Sequence, residues 1–327
     1  MKLFRFLFYA CLMPALLACS AKNEVTVLKL AHSLDTQHPV HHAIVYMAQR
    51  LEHHSAGSMR VDIYPAGQLG SERELIELLQ IGSLAMTKVS SSPMEGFVPA
   101  MKIFSIPYVF RDSSHYWQVL NSDIGRELLL AGQSVRLRGL AYYDAGARSF
   151  YSVHKPVHAP ADLNGMKIRV QQSPTAIEMV RAFGGSATPI SWGELYTSLQ
   201  QGVVDGAENN PPSFYSSKHY EVAKYFTLNE HTRVPDIMLI SQYIWDHLST
   251  QQQQWLQTAM DESVEFQRKL WEQSTEEALE KVRQAGVQVI YPDKALFREN
   301  VLPMQDALQG TPVFDVLQRI RNLRSPP

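Results

Sequence analysis

The chain has 327 residues, 45% of them hydrophobic and 19% charged, with a formal charge of −2. This composition excludes low-complexity, collagenous and highly charged classes, and the lack of a basic excess argues against a nucleic-acid partner. At roughly 150 residues per domain, the length fits two lobes.

Lys2 and Arg5 precede an apolar run from Phe6 to Ala18 that ends at Cys19, the order of a secretory signal, so residues 1–18 are expected to be a signal peptide. The run is too short for a membrane-spanning helix, which takes about 20 residues. Leu16-Leu17-Ala18-Cys19 is similar to a bacterial lipobox, and lipidation of Cys19 is favoured over simple cleavage near Ala21. Removing residues 1–18 takes away Lys2 and Arg5 and no acid, which moves the formal charge from −2 to −4. The two cysteines are Cys11 and Cys19, so the exported domain carries no pair to oxidise. The expected location is the periplasm, with a lipid anchor if Cys19 is modified.

Val25–Ala31 alternates as a strand, a break follows at Thr36–Pro39, and His41–His53 shows apolar residues at helical spacing. Met59–Tyr64 alternates again, Pro65–Gly70 reads as a turn, and Ser71 with Glu74 forms a capping box that opens a helix. A third strand is expected near Leu84–Ser90. This βαβ alternation predicts a mostly parallel sheet covered by helices, with binding at the C-terminal ends of its strands.

Gly139–Tyr143 and Met166–Val170 are further strand candidates, and Ser173-Pro174 caps a helix that opens a second α/β unit. Trp192–Gln201 reads as a short helix, and the stretch Val203–Ala207 leads to Glu208-Asn209-Asn210 and the pair Pro211-Pro212. Ser249 with Gln252 makes another capping box. No Pro or Gly interrupts the chain from there to Gly286, which predicts a helix over 250–285, roughly 54 Å long and able to brace both lobes. A coiled coil is the rival reading of that segment, but its apolar positions do not hold strict heptads.

No P-loop, His-Glu-x-x-His, G-x-S-x-G or dinucleotide glycine pattern is present. His38, His41, His42, His53 and His54 cluster in sequence, but a solvated loop and helix start explain them more simply than a metal site. Glu194 and Glu208 could form an acid/base pair, against which helix-end charge and backbone hydrogen bonding are preferred. No catalytic residue, metal or cofactor is therefore assigned. Arg148, just past a strand, and Arg169, within one, are the chemically informative residues. A guanidinium offers a planar donor fork that fits a carboxylate, although a structural ion pair explains a strand arginine equally well.

Four segments carry a resemblance: Tyr64–Arg73 (YPAGQLGSER), Ile106–Phe110 (IPYVF), Ala161–Val170 (ADLNGMKIRV) and Glu194–Asn209 (ELYTSLQQGVVDGAEN). The chain resembles the substrate-binding proteins of tripartite ATP-independent periplasmic (TRAP) transporters, the DctP-like family, from about Val25 to Phe297. The resemblance implies a two-lobed periplasmic binding protein fold of α/β class, with mostly parallel sheets, hinge strands and a long bracing helix. Lobe I would comprise 25–147 with part of 236–285, and lobe II 148–235 with C-terminal segments.

It further implies no enzymatic activity, but capture of a small organic acid for TRAP membrane permease subunits. By position, Arg169 would pair the ligand carboxylate, with Arg148 as a second ligand arginine and Asn209, after Glu208, bonding the same carboxylate. Trp192 would pack on the ligand body, Glu72 would reach its hydroxyls, Ser90 would stand at the pocket wall, and Gln172 would fall where an asparagine is common. The segments around Lys88–Ser92, Pro189–Glu194, Glu208–Phe214 and His231–Asp236 look like the hexuronate-binding subgroup. A sugar acid also needs hydroxyl partners, for which Glu72, Ser90, His32, Gln172 and Asn210 are the candidates. Other sugar acids, a dicarboxylate and a ligand-sensing lipoprotein remain as alternatives.

Overall fold

The computed structural model describes residues 25–323; the signal segment and Cys19 lie outside the described residues. Its strands are β1 (Thr26–Ala31), β2 (Met59–Tyr64), β3 (Met86–Ser90), β4 (Leu137–Tyr143), β5 (Arg148–Ser152), β6 (Lys167–Val170), β7 (Ser186–Pro189), β8 (Gly206–Asn209), β9 (Tyr225–Thr232), β10 (Asp236–Ser241) and β11 (Gln288–Ile290). They form two sheets, one ordered β2-β1-β3-β10-β4 and the other β11-β9-β5-β8-β6-β7.

Five of the nine strand pairings are parallel, and every antiparallel one involves β10 or β5. The reason is the crossing of the chain. It leaves the first sheet after β4, passes through 144–147 into β5, and returns from β9 through 233–235 into β10. A strand arriving from the other sheet needs no helical crossover, so it can pair antiparallel. The sheets are thus mixed, with the parallel βαβ units lying on either side of the crossing strands.

Local sequence explains the helices that carry the site. His38 caps the helix Pro39–His54, its Nδ1 accepting from the Val40 N–H, and Val40, Ala43, Ile44, Met47 and Leu51 form its buried stripe. Ser71 and Glu74 cap the helix Glu72–Gln80 reciprocally, which fixes Glu72 in its first turn. Ser249 and Gln252 cap the long helix Thr250–Gln284, which spans roughly 52 Å at 1.5 Å per residue. It ends just before Gly286, whose φ of +85° suits a residue without a Cβ.

The long helix packs against the helix Pro39–His54 and β4 at the first sheet, and against the helix Pro211–Ser216 and β11 at the second. Between them, buried Gln267 accepts from the Asp144 N–H and donates to the Asp144 carbonyl, both at 2.8 Å, tying the helix to one interlobe crossing. Each sheet is flanked by two apolar clusters, so each lobe has its own core.

Candidate functional site

The C-terminal ends of β1, β3, β6 and β8 converge on the gap between the sheets. An outer cleft of about 590 Å³ and an inner recess of about 40 Å³ share Ser33, Glu72, Arg169, Gln171 and Trp192, so they form one continuous depression. That total lies in the range typical of small-molecule sites.

Arg148 and Arg169 both line the recess, but their surroundings differ. Arg148, the first residue of β5, donates from Nε to Glu208 Oε2 at 2.5 Å and from Nη2 to Glu208 Oε1 at 2.8 Å and the Glu208 carbonyl at 2.7 Å. Its Nη1 donates to Asn209 Oδ1 at 2.9 Å. Burial opposes both charges, yet Arg148, with the His231 ring 3.5 Å from Oε2, brings the Glu208 carboxyl down to about 2. Arg148 is correspondingly held above its ordinary value by Glu208, against its own burial.

Arg169 projects from β6 and is equally buried. Its Nε donates to the Ile190 carbonyl at 2.8 Å, while Nη1 is buried without a hydrogen-bond partner. No carboxylate among the described residues forms an ion pair with it. Burial lowers its pKa, since the nearby charges do not compensate for the lost water. Its guanidinium lies 5.7 Å from the centre of the Trp192 ring, which walls the depression on that side.

The first lobe supplies the opposite wall. Lys88, buried in the middle of β3, donates to Glu72 Oε1 at 3.3 Å and to Asp236 Oδ1 at 3.1 Å. Burial pulls its pKa down, but Asp236 and Glu72 outweigh it and hold the ammonium above its ordinary value. The Ser90 N–H also donates to Glu72 Oε1, at 3.0 Å. These bonds hold one carboxylate oxygen of Glu72 and leave Oε2 as an acceptor beside the cleft.

The two asparagines are oriented by their own backbone. Asn209 Oδ1 accepts from Arg148 and from the Asn210 N–H at 2.9 Å, and Asn210 Oδ1 accepts from the Ser213 N–H at 2.9 Å, capping the helix Pro211–Ser216. Both oxygens are thus engaged within the protein, and both residues line the recess.

Of the remaining candidates, Ser90 lines the recess and donates to Gln171 Oε1 at 3.4 Å, and Gln172 lines only the outer cleft. Gln171, which the sequence reading passed over, lines both parts. The signal for it was available: beyond β6 it shares the face of Arg169 by strand alternation, whereas Gln172 has the other parity.

Two expected ligand contacts lie outside the lining of the cleft and recess. Glu208 is consumed by Arg148 and does not line the recess. His32 is buried, with Nδ1 accepting from the Leu34 N–H at 3.2 Å and Nε2 3.0 Å from His41 Nδ1, so both ring nitrogens are occupied inside the protein. Among the described residues, no group of three or more His, Cys, Asp or Glu side chains is placed to hold a metal ion.

The profile of the family described as "Bacterial extracellular solute-binding protein, family 7" (DctP) matches residues 30–310. The Salmonella typhimurium protein YiiZ is 39% identical over 303 residues, 92% of each chain. A solved TRAP periplasmic solute-binding protein from Xanthobacter autotrophicus, with bound β-D-galacturonate, superposes with a TM-score of 0.88 at 38% identity, covering 91% of this chain and 100% of the other. Another from Pseudomonas putida, with bound D-glucuronate, gives 0.88 at 35% identity, covering 92% and 98%.

Proposed function

The chain belongs to the DctP family of bacterial extracellular solute-binding proteins, family 7, and from that premise we propose that it captures a hexuronate, galacturonate or glucuronate, and hands it to a TRAP membrane permease. The observation that carries this reading is Arg169: a buried guanidinium with an unpartnered Nη1, no carboxylate of its own, and an open recess in front of it. A buried cation without a partner is costly, and a ligand carboxylate offsets that cost.

In this reading Arg169 takes the carboxylate, with the amide of Asn209 donating to it. Arg148 acts through Asn209, whose orientation it fixes, and Glu208 acts only through Arg148. Trp192 covers the sugar ring. Glu72 Oε2, the Asn210 amide, Gln171 and Ser90 meet the hydroxyls, with Gln172 nearer the mouth. The abundance of hydroxyl partners, together with the galacturonate and glucuronate held by the two relatives of known structure, favours a sugar acid over a four-carbon dicarboxylate. Capture and release need no bond made or broken. Export of the chain to the periplasm, by cleavage or with a lipid anchor at Cys19, belongs to the same proposal.

The test is a thermal-melt screen of the exported protein, stripped of ligand by unfolding and refolding, against hexuronates, aldonates, dicarboxylates and sialate. Ligand at about 1,000 times its dissociation constant adds roughly 4.1 kcal/mol of apparent stability. A large shift is expected with hexuronates; a large shift with dicarboxylates alone would replace the ligand class.

A further inference from the structure

Glu95 follows β3 in the first lobe, and its side chain crosses to the second. Its Oε2 accepts from Ser173 Oγ and its Oε1 from Thr175 Oγ1, each at 2.6 Å. All three residues are buried: Glu95 is 9% exposed, Ser173 and Thr175 1% each. Ser173 and Thr175 begin the helix Pro174–Ala182, which lies between β6 and β7, and the Ser173 hydroxyl also accepts from the Ala176 N–H as the helix cap. None of the three lines the cleft. Other interlobe bonds lie elsewhere, between His38 Nε2 and Ser213 Oγ at 3.1 Å and between Ser90 Oγ and Gln171 Oε1 at 3.4 Å.

A carboxylate buried with hydroxyl partners and no cation is an inefficient way to hold two surfaces together permanently. Its desolvation offsets much of what two charge-assisted hydrogen bonds contribute. The same chemistry suits a contact that must break, because on separation the carboxylate is welcomed back by water.

We propose that Glu95, Ser173 and Thr175 form a clasp that makes only when the lobes close and that sets how long a captured acid stays, without touching it. This rests on the capture-and-closure reading above. The clasp acts on the population of the closed form, and apparent affinity scales with that population.

The experiment combines hexuronate binding kinetics with spin-label distances between the lobes, on wild type, Glu95→Ala and Thr175→Val. Thr175→Val removes one donor and leaves the helix cap intact. Glu95→Ala is expected to speed ligand release about tenfold, the size appropriate to losing hydrogen bonds to a charged acceptor, with association unchanged within about twofold. Thr175→Val should shift release the same way by less. The ligand-free melt should move less than the loaded one, since only the closed form holds the clasp. Unchanged release in Glu95→Ala, or a ligand-free melt lowered as much as the loaded one, overturns the clasp. A wild-type protein that binds no hexuronate overturns the reading of function instead. The clasp is then decided by the distances, because Glu95→Ala must lower whatever closed fraction wild type shows.

Discussion

Arg148 grips Glu208 through two parallel hydrogen bonds, Nε to Oε2 at 2.5 Å and Nη2 to Oε1 at 2.8 Å, and both side chains are almost fully buried. Arg169, which lines the same recess, has no such partner among the described residues. Two arginines of like type and burial therefore differ in kind, one paired within the protein and the other left, in the proposed function, to take the anion.

Substituting the two should give opposite patterns. Arg148→Met leaves the Glu208 charge buried and unpaired, a change that typically costs about 3–5 kcal/mol, so the ligand-free melt should fall sharply. Arg169→Met removes a buried cation that has no acid partner, so ligand-free stability should hold or rise while hexuronate affinity drops about 100-fold or more. Melts and calorimetry on both variants check this, and the reverse pattern would exchange the assigned roles.

Acidification should weaken the fold before most carboxylates titrate. Burial, then the charge of Lys88, lowers His32 from 6.5 to about 3, and burial followed by Arg169 does the same to His219. The unfolded chain therefore takes up protons first, so the stability these residues contribute is complete above pH 6.5 and is lost as pH falls toward 3. Each accounts for up to about 1.4 kcal/mol per pH unit within that window. Glu208 adds a further loss between 4.5 and about 2. Melting temperatures at pH 7, 6 and 5 should decline, and His219→Gln should make the decline shallower; a flat profile would show that these imidazoles are not held neutral.

In the proposed function, Glu72 separates recognition of hydroxyls from recognition of charge. Glu72→Ala removes the free Oε2 acceptor and one of the two carboxylates beside Lys88. Hexuronate affinity should fall about 10- to 100-fold, the scale of losing a hydrogen bond to a charged group with its partners left unpaired. Titration with a hexuronate and with a dicarboxylate would check it: equal losses for both would mean that Glu72 acts on closure rather than on hydroxyls.

Gly146 tests the crossing between the lobes. It adopts φ of +59°, and a Cβ there would stand 3.0 Å from Trp271 Nε1 of the long helix. Gly146→Ala should cost about 1–2 kcal/mol from the left-handed backbone alone, measured by denaturant unfolding. An unchanged midpoint would mean that this crossing relaxes freely.

The parts of the fold with local signals were legible in the sequence. The first βαβ unit, the capping boxes at Ser71 and Ser249, and the uninterrupted run up to Gly286 each announce an element from nearby residues. The crossing strands, implied by the family resemblance, had no local signal to place them. Asp236–Ser241 reads as one more apolar strand, and only its pairing with β3 and β4, far away in sequence, shows that the chain has returned to the first sheet.

The same distinction holds at the site. A guanidinium fork marks both arginines as anion partners, but which of them is already satisfied depends on Glu208, 60 residues from Arg148 in sequence. Likewise His32 looks free until the helix Pro39–His54 brings His41 against it. Gln171 was hidden by a one-residue choice of parity at the end of β6, where alternation with Arg169 decides which glutamine faces inward.

The most direct measurement is a calorimetric titration of the ligand-free protein with galacturonate and, in parallel, with galactose, which carries a hydroxymethyl group in place of the carboxylate. A site organised around Arg169 predicts one-to-one binding of the acid and no measurable heat from the neutral sugar at millimolar concentration, because galactose leaves the buried guanidinium unpaired. Equal binding of the two sugars, or binding of neither, would contradict the account.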